Sequence, residues 1–317
     1  MKQILWFVAV PLLLATVAVV LAACQREPAE DTAAALDLGT AFERSQAEWR
    51  AQREARLLAP DGWASLIGLH WIDRGPHYLG SSANSGIRLS MGPPELGLLT
   101  LDDGKVSFKP ARGAGATIDG RPASGTVVLL DDMAPGGPSV IGFDGGDGQA
   151  MVIRRQGRLA LRVKHAQAPS RTGFAGLDYW APDRSWLVQG RFVPNPSGST
   201  IEIADIIGGT EPVANPGAIE FTRDGETHRI QALDEGGDEL FLVFADRTNG
   251  RGSYGAGRFL YVPKPDANGN VPLDFNQAYN PPCAFTSFAT CPLPPPENRL
   301  DLEITAGEKA YAKPPHV

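Results

Sequence analysis

Turn-forming residues interrupt this chain so often that long helices have no room over most of its length. The sequence holds 36 glycines and 27 prolines among 317 residues, close to a fifth of the chain where roughly 12% is usual. Proline has no N–H to give to a helix interior, and glycine has no side chain to restrict its backbone, so both end regular elements early. Between these breaks lie short apolar stretches bounded by Gly, Pro, Asn or Asp. They cover residues 98–101, 105–109, 126–130, 150–154 and 158–164, then 186–192, 200–207, 218–221, 226–232, 240–244, 258–262 and 300–306. Such spacing fits a β sandwich or a barrel-like sheet and leaves no space for the crossovers of βαβ units. Gln156-Gly157 and Asp102-Asp103-Gly104 read as hairpin turns, since both supply the residue types that accept positive φ. The expected fold is mainly β, as one large body or as two lobes over residues 59–170 and 171–317 that divide in the Pro-, Gly- and Asp-rich stretch 169–183.

The start of the chain has a different character. From Ile4 to Ala23 no residue is charged, and the run closes on Leu21-Ala22-Ala23-Cys24. Twenty apolar residues are long enough to span a bilayer of ~30 Å as an uncleaved helix. Small residues just before a cysteine instead resemble the bacterial lipobox, which makes residues 1–23 a signal peptide and Cys24 the acylated first residue of the mature protein. Two or three acyl chains, each buried methylene contributing roughly 0.8 kcal/mol, would hold such a protein on a membrane effectively for good. Gln25, rather than Asp, follows the cysteine, and in a Gram-negative host that directs the protein to the periplasmic face of the outer membrane. Residues 24–39 are rich in Ala, Glu, Asp and Thr and read as a flexible tether. Residues 40–58 read as a charged amphipathic helix: Thr40 and Glu43 have capping-box spacing, and Pro60-Asp61-Gly62 closes it.

The charge balance narrows the functions. With 36 acidic against 29 basic residues and no basic run, the chain has no electrostatic footprint for nucleic acid. Its expected partners are a membrane, through Cys24, and an unknown small ligand or envelope protein. The five histidines show no metal-ligand spacing, and no G-x-S-x-G nucleophile elbow occurs. The Gly136-Gly137, Gly145-Gly146 and Tyr254-Gly255-Ala256-Gly257-Arg258 runs are not followed by helical pattern, so phosphate cradling is unsupported. No cofactor is indicated.

The most distinctive stretch is residues 246–309. It contains D-R-T-N-G-R-G-S-Y-G-A-G-R-F-L, then L-D-F-N-Q-A-Y-N-P-P-C-A-F-T-S-F-A-T-C-P-L-P-P-P-E-N-R-L, then A-G-E-K. These motifs resemble a family of bacterial and archaeal proteins known only as a domain of unknown function, with fainter resemblance from about Trp49 to Lys309. The resemblance implies no activity.

Read physically, Asn280-Pro281-Pro282 and the proline run 292–296 hold extended backbone on both sides of the segment 283–291. Phe275, Tyr279, Phe285 and Phe288 are then expected as an aromatic cluster over this loop, either covering a sheet edge or walling a pocket. The polar groups of such a pocket would be Asp246, Tyr254, Arg258, Asp274, Asn276, Tyr279, Asn280 and Asn298. Asp246, Arg247 and Arg258 can equally form a buried structural ion pair. Cys283 and Cys291 are the cysteines left once Cys24 is acylated, and outside the cytoplasm an even pair is most simply a disulfide. A metal pair or a nucleophilic Cys283 are the alternatives, though C-x7-C lacks the zinc knuckle and no histidine is close in sequence. Two functional readings follow. One is a binding or interaction module using the 274–298 loop; the other is an envelope hydrolase with a site around Asp246, Arg258 and Asp274.

Overall fold

The computed structural model describes residues 28–312, so the expected signal peptide and Cys24 lie outside the described residues. Two compact units result, Met1–Glu48 and Trp49–Val317. Helix α1 spans Pro28–Leu57, longer than the 40–58 expected and taking in residues assigned to a tether. Pro28 suits the first helical position, where its missing N–H has no partner to lose. The alanines at 29, 33, 34 and 35 favour helix, which leaves Thr40 inside the helix and not at its cap. Among the described residues no helix is long and apolar enough to cross a membrane.

The rest is mainly β, in several sheets that are antiparallel except for the β2–β3 pair and do not close into a barrel. Strands β1 (Leu66–Trp71), β2 (Gly75–Gly80), β3 (Ile87–Arg88), β4 (Gly97–Asp102), β5 (Lys105–Pro110), β6 (Thr117–Ile118), β7 (Arg121–Pro122), β8 (Val127–Leu129), β9 (Val140–Phe143), β10 (Gly148–Arg155) and β11 (Arg158–His165) come first. They form a six-stranded sheet in the order β1-β11-β10-β9-β6-β7 and a five-stranded sheet in the order β3-β2-β4-β5-β8. The inward residues of both sheets, among them Leu99, Val106, Phe108, Ile141, Val152, Leu161 and Val163, share one core. Strand β11 shows the cause: successive side chains alternate faces, so Leu159, Leu161 and Val163 enter the core while Arg158, Arg162 and Lys164 point the other way. The β10–β11 turn has Gln156 at φ 51 and Gly157 at φ 72, the two successive positive angles of a type I′ hairpin.

The second series is β12 (Leu187–Pro194), β13 (Thr200–Ala204), β14 (Thr210–Ala214), β15 (Gly217–Arg223), β16 (Glu226–Ala232), β17 (Glu239–Phe244), β18 (Arg258–Pro263) and β19 (Asn270–Asp274). These pair as β16-β15-β12-β19, β17-β18 and β13-β14, and share no sheet with the first series. Their main core surrounds Phe275, which is fully buried against Trp186, Phe221 and Phe244 at ring-centroid distances of 6.0, 5.4 and 5.7 Å. Phe275 is thus a core residue and not a cover over the cysteine loop.

Residues 300–306, expected as a strand, form none. Several of their polar backbone groups are taken by side chains, the carbonyls of Ile304 and Ala306 accepting from Arg258 and the Ile304 N–H reaching Asp246, while Leu300 and Leu302 bond to the backbone of Ala245 and Arg247. A segment whose hydrogen bonds are satisfied this way has no need of a ladder.

Candidate functional site

Most of the polar residues singled out in the sequence are structural. Asp246 and Arg258 form an ion pair at 2.6 Å with no solvent exposure of either side chain. Asp246 Oδ1 also accepts from the Thr248 N–H at 2.7 Å and its hydroxyl at 2.6 Å. Burial pulls the Arg258 guanidinium below its ordinary range, and Asp246 opposes that shift. With neither side chain exposed, the pair holds the 304–306 segment to β18. Arg247 instead pairs with exposed Asp301.

The side-chain amides act as splints for irregular backbone. Asn276 accepts from the Asp183 N–H at 2.9 Å, and its amide donates to the Asp183 carbonyl at 2.9 Å and to Asp274 Oδ1 at 2.8 Å. Asn298 accepts from the Gln231 N–H at 2.6 Å and donates to the carbonyls of Gln231 and Val243 at 3.0 and 2.9 Å. Asn280 donates its side-chain amide to the Lys309 carbonyl at 2.7 Å, and the Tyr254 hydroxyl donates to the Cys283 carbonyl at 3.3 Å. Of the eight residues, Tyr279 lines the main cleft.

That cleft has a volume of about 630 Å³. Three parts of the chain wall it. The last turns of α1 supply Trp49, Gln52, Arg53 and Arg56, spaced i, i+3, i+4 and i+7 so that they share one helix face. The hairpin β10–β11 and the turn before β1 supply Arg155, Arg162 and Trp63. The second series and the proline-framed loop supply Phe241, Phe259, Tyr261, Tyr279, Phe285, Thr290 and Cys291, with Glu235 and Glu239. Alternation again does the positioning. Glu239 and Phe241 on β17, and Phe259 and Tyr261 on β18, are each two residues apart and so face one side. Phe241 meets Tyr261 at 4.8 Å and Phe259 at 4.9 Å, and Tyr279 meets Phe259 at 5.8 Å. These rings make a continuous apolar wall.

Arg53 joins this wall to the end of the chain. Its Nε donates to Glu308 Oε1 at 2.8 Å and Nη2 to the Asn280 carbonyl at 3.0 Å, with the guanidinium 4.6 Å from the Tyr279 ring centre. Glu308 is fully buried and also accepts from the Asn280 N–H at 2.7 Å. Burial raises its carboxyl above the ordinary range, and Arg53 is the largest cause opposing that.

Arg162 is held differently. Its residue exposure is 7%, yet it forms no ion pair among the described residues. Its Nε has no hydrogen-bond partner, and its Nη2 reaches only the Thr290 hydroxyl, at 3.3 Å. The same hydroxyl accepts from Arg155 Nε at 3.2 Å, while Arg155 itself is paired to Asp132 at 2.6 Å. Burial, then Arg155, lower Arg162 to about 10. A buried guanidinium without a counter-charge is costly to keep, so the cleft carries an excess positive charge at this point.

The two cysteines expected to pair lie side by side in the fold. Cys283 and Cys291 are both buried and in contact, with the Cys283 N–H donating to Cys291 Sγ at 3.1 Å. The Cys283 hydrogen bond, and then burial, push the Cys291 thiol far above its ordinary value, so it carries no thiolate for nucleophilic attack at neutral pH. Among the described residues no group of three His, Cys, Asp or Glu could hold a metal.

Sequence reading missed the arginines of the cleft, because nothing local distinguishes Arg162 from any other outward-facing strand residue. The spacing 49, 52, 53, 56 on α1 was a usable signal. Gly257, in the Tyr254–Arg258 run, is explained by packing: at φ 101 a Cβ there would lie 2.4 Å from Pro294 Cγ.

Residues 172–309 match the model of a family described as "Protein of unknown function (DUF1684)". Among solved structures, the solution NMR structure of an uncharacterized protein from Haloarcula marismortui is 30% identical over 44% of this chain and 78% of that one, with a TM-score of 0.37. No curated protein matches the chain. The matched segment includes the aromatic wall and the cysteine loop, whereas Arg53, Arg56, Arg155 and Arg162 precede it.

Proposed function

We propose, for a chain that belongs through residues 172–309 to this uncharacterised family, that it is a cell-envelope lipoprotein, anchored by Cys24, whose body binds a small ligand in the cleft beside the 279–292 loop. The observation that carries this reading is the cleft itself. Its volume of about 630 Å³ is that of a small-molecule site, and its make-up, an aromatic wall with a few convergent polar groups, is what such sites use. The hydrolase reading loses support because Asp246 and Arg258 are sealed from solvent.

The test is a thermal-shift screen of a metabolite library on the full-length protein in detergent, run in parallel on Thr290→Trp, which fills the cleft beside Arg155 and Arg162. A ligand at about 100 times its Kd stabilises the native state by ~2.7 kcal/mol, roughly 5 °C for a body of this size. Compounds that raise the melting temperature of the wild type but not of Thr290→Trp are expected. Hits that persist unchanged in the variant, or a screen without hits, would sink the reading.

A further inference from the structure

The cleft is chemically lopsided. Beside Thr290 stands Arg162, buried, with an unpartnered Nε and one long bond to a neutral hydroxyl. The Thr290 oxygen receives guanidinium hydrogens from both Arg155 and Arg162. A hydroxyl has two acceptor lone pairs and one donor, so what it has left to offer is its O–H. Asp132, the neighbouring carboxylate, is already bonded to Arg155. The groups left over at this spot are therefore hydrogen-bond donors around one positive charge that has no ion-pair partner among the described residues, on a residue that is itself buried. Charge-assisted hydrogen bonds to an anionic oxygen are what such an arrangement satisfies.

The opposite wall asks for something else. Phe241, Phe259, Tyr261 and Tyr279 pack ring to ring, and Tyr261 is 39% exposed. Its hydroxyl is held by Glu235 at 2.7 Å, which fixes the ring and leaves its face for an apolar partner. The acidic Glu235 and Glu239 lie on this side and repel an anion from it, so the acidic head of a ligand has one favourable end.

We propose that the cleft binds a small ring-bearing organic acid, its anionic head on Arg162 and the Thr290 hydroxyl and its ring against Tyr261 and Phe241. This rests on the reading of the cleft as a small-ligand site and names the class of ligand. Trp63, whose ring lies 5.3 Å from the Arg162 guanidinium, holds the cation in place from outside.

The experiment is calorimetric titration of the full-length protein with 2-naphthoate and with its neutral isostere 2-naphthamide, on the wild type, Arg162→Met and Arg162→Lys. In the wild type, the carboxylate should bind saturably and about 10- to 100-fold more tightly than the amide, the range expected for a charge-assisted bond. Arg162→Met should bind both alike, and Arg162→Lys should recover part of the preference. Methionine also relieves a buried unpaired charge, so the unliganded variant should melt no lower than the wild type, which separates lost recognition from lost folding. Equal affinity for the two probes in the wild type, or a preference that survives in Arg162→Met, overturns the proposal. Absence of binding by either probe also overturns it, while hits that Thr290→Trp abolishes would keep the broader cleft reading standing.

Discussion

Arg53→Ala should unsettle the body more than any other single change at the cleft, and its effect should depend on pH in a stated direction. The substitution removes the 2.8 Å pair to Glu308, the 3.0 Å bond to the Asn280 carbonyl and the cation over Tyr279. Glu308 has no solvent exposure to fall back on, and breaking a buried pair from one side costs about 3–5 kcal/mol. Unfolding entropy of ~2.1 cal/mol/K per residue makes that a fall of roughly 5–9 °C in melting temperature for the Trp49–Val317 unit. The pH dependence follows from the Glu308 carboxyl, which burial raises above its ordinary 4.5 while Arg53 lowers it. A raised carboxyl stabilises the fold fully below the unfolded value and loses that contribution as pH rises through the folded one. Removing Arg53 takes away the main opposing cause, so the rise becomes larger. The deficit of the variant against the wild type should therefore be greatest near pH 7 and shrink as pH falls toward 4.5. Differential scanning calorimetry across that range checks both parts. A deficit under about 2 °C, or one that stays constant over the range, would refute the argument.

Asn298→Ala strips β16 and β17 of three side-chain hydrogen bonds; with buried backbone groups left unpaired at about 1–3 kcal/mol each, chemical denaturation should show a loss of several kcal/mol. Cys283 and Cys291, already in contact, should be oxidised to a disulfide in protein isolated from an oxidising compartment. They should then resist alkylation until reduced, and the short closed loop should add about 2.5 kcal/mol. Alkylation of both thiols in unreduced, denatured protein would show the bond absent. Cys24→Ser should block both acylation and removal of residues 1–23, read by intact mass as loss of the acyl chains and gain of the leader; an unchanged mass pattern would refute the lipobox reading.

Local chemistry fixes much of this protein. Positive φ at Gln156 and Gly157 follows from the residue pair itself, and alternation along β11, β16 and β18 follows from the two-residue period of extended chain. The mainly β fold and the strand segments 105–109, 158–164, 226–232 and 258–262 could therefore be read directly. What spacing cannot show is which neighbour a side chain meets after the chain turns back. Asp246, Arg258, Asn276 and Asn298 look like site residues in sequence because polar groups amid aromatic and proline residues are unusual there. In the fold they satisfy buried backbone and one another. Arg162 looks ordinary, one of several basic residues on the outward face of a strand. It becomes a candidate ligand anchor only because the loop carrying Thr290, more than a hundred residues later, covers it without bringing a carboxylate. Hydrogen-bond periodicity is a local property and was legible; burial and charge compensation are properties of distant segments brought together, and only the tertiary structure decided them.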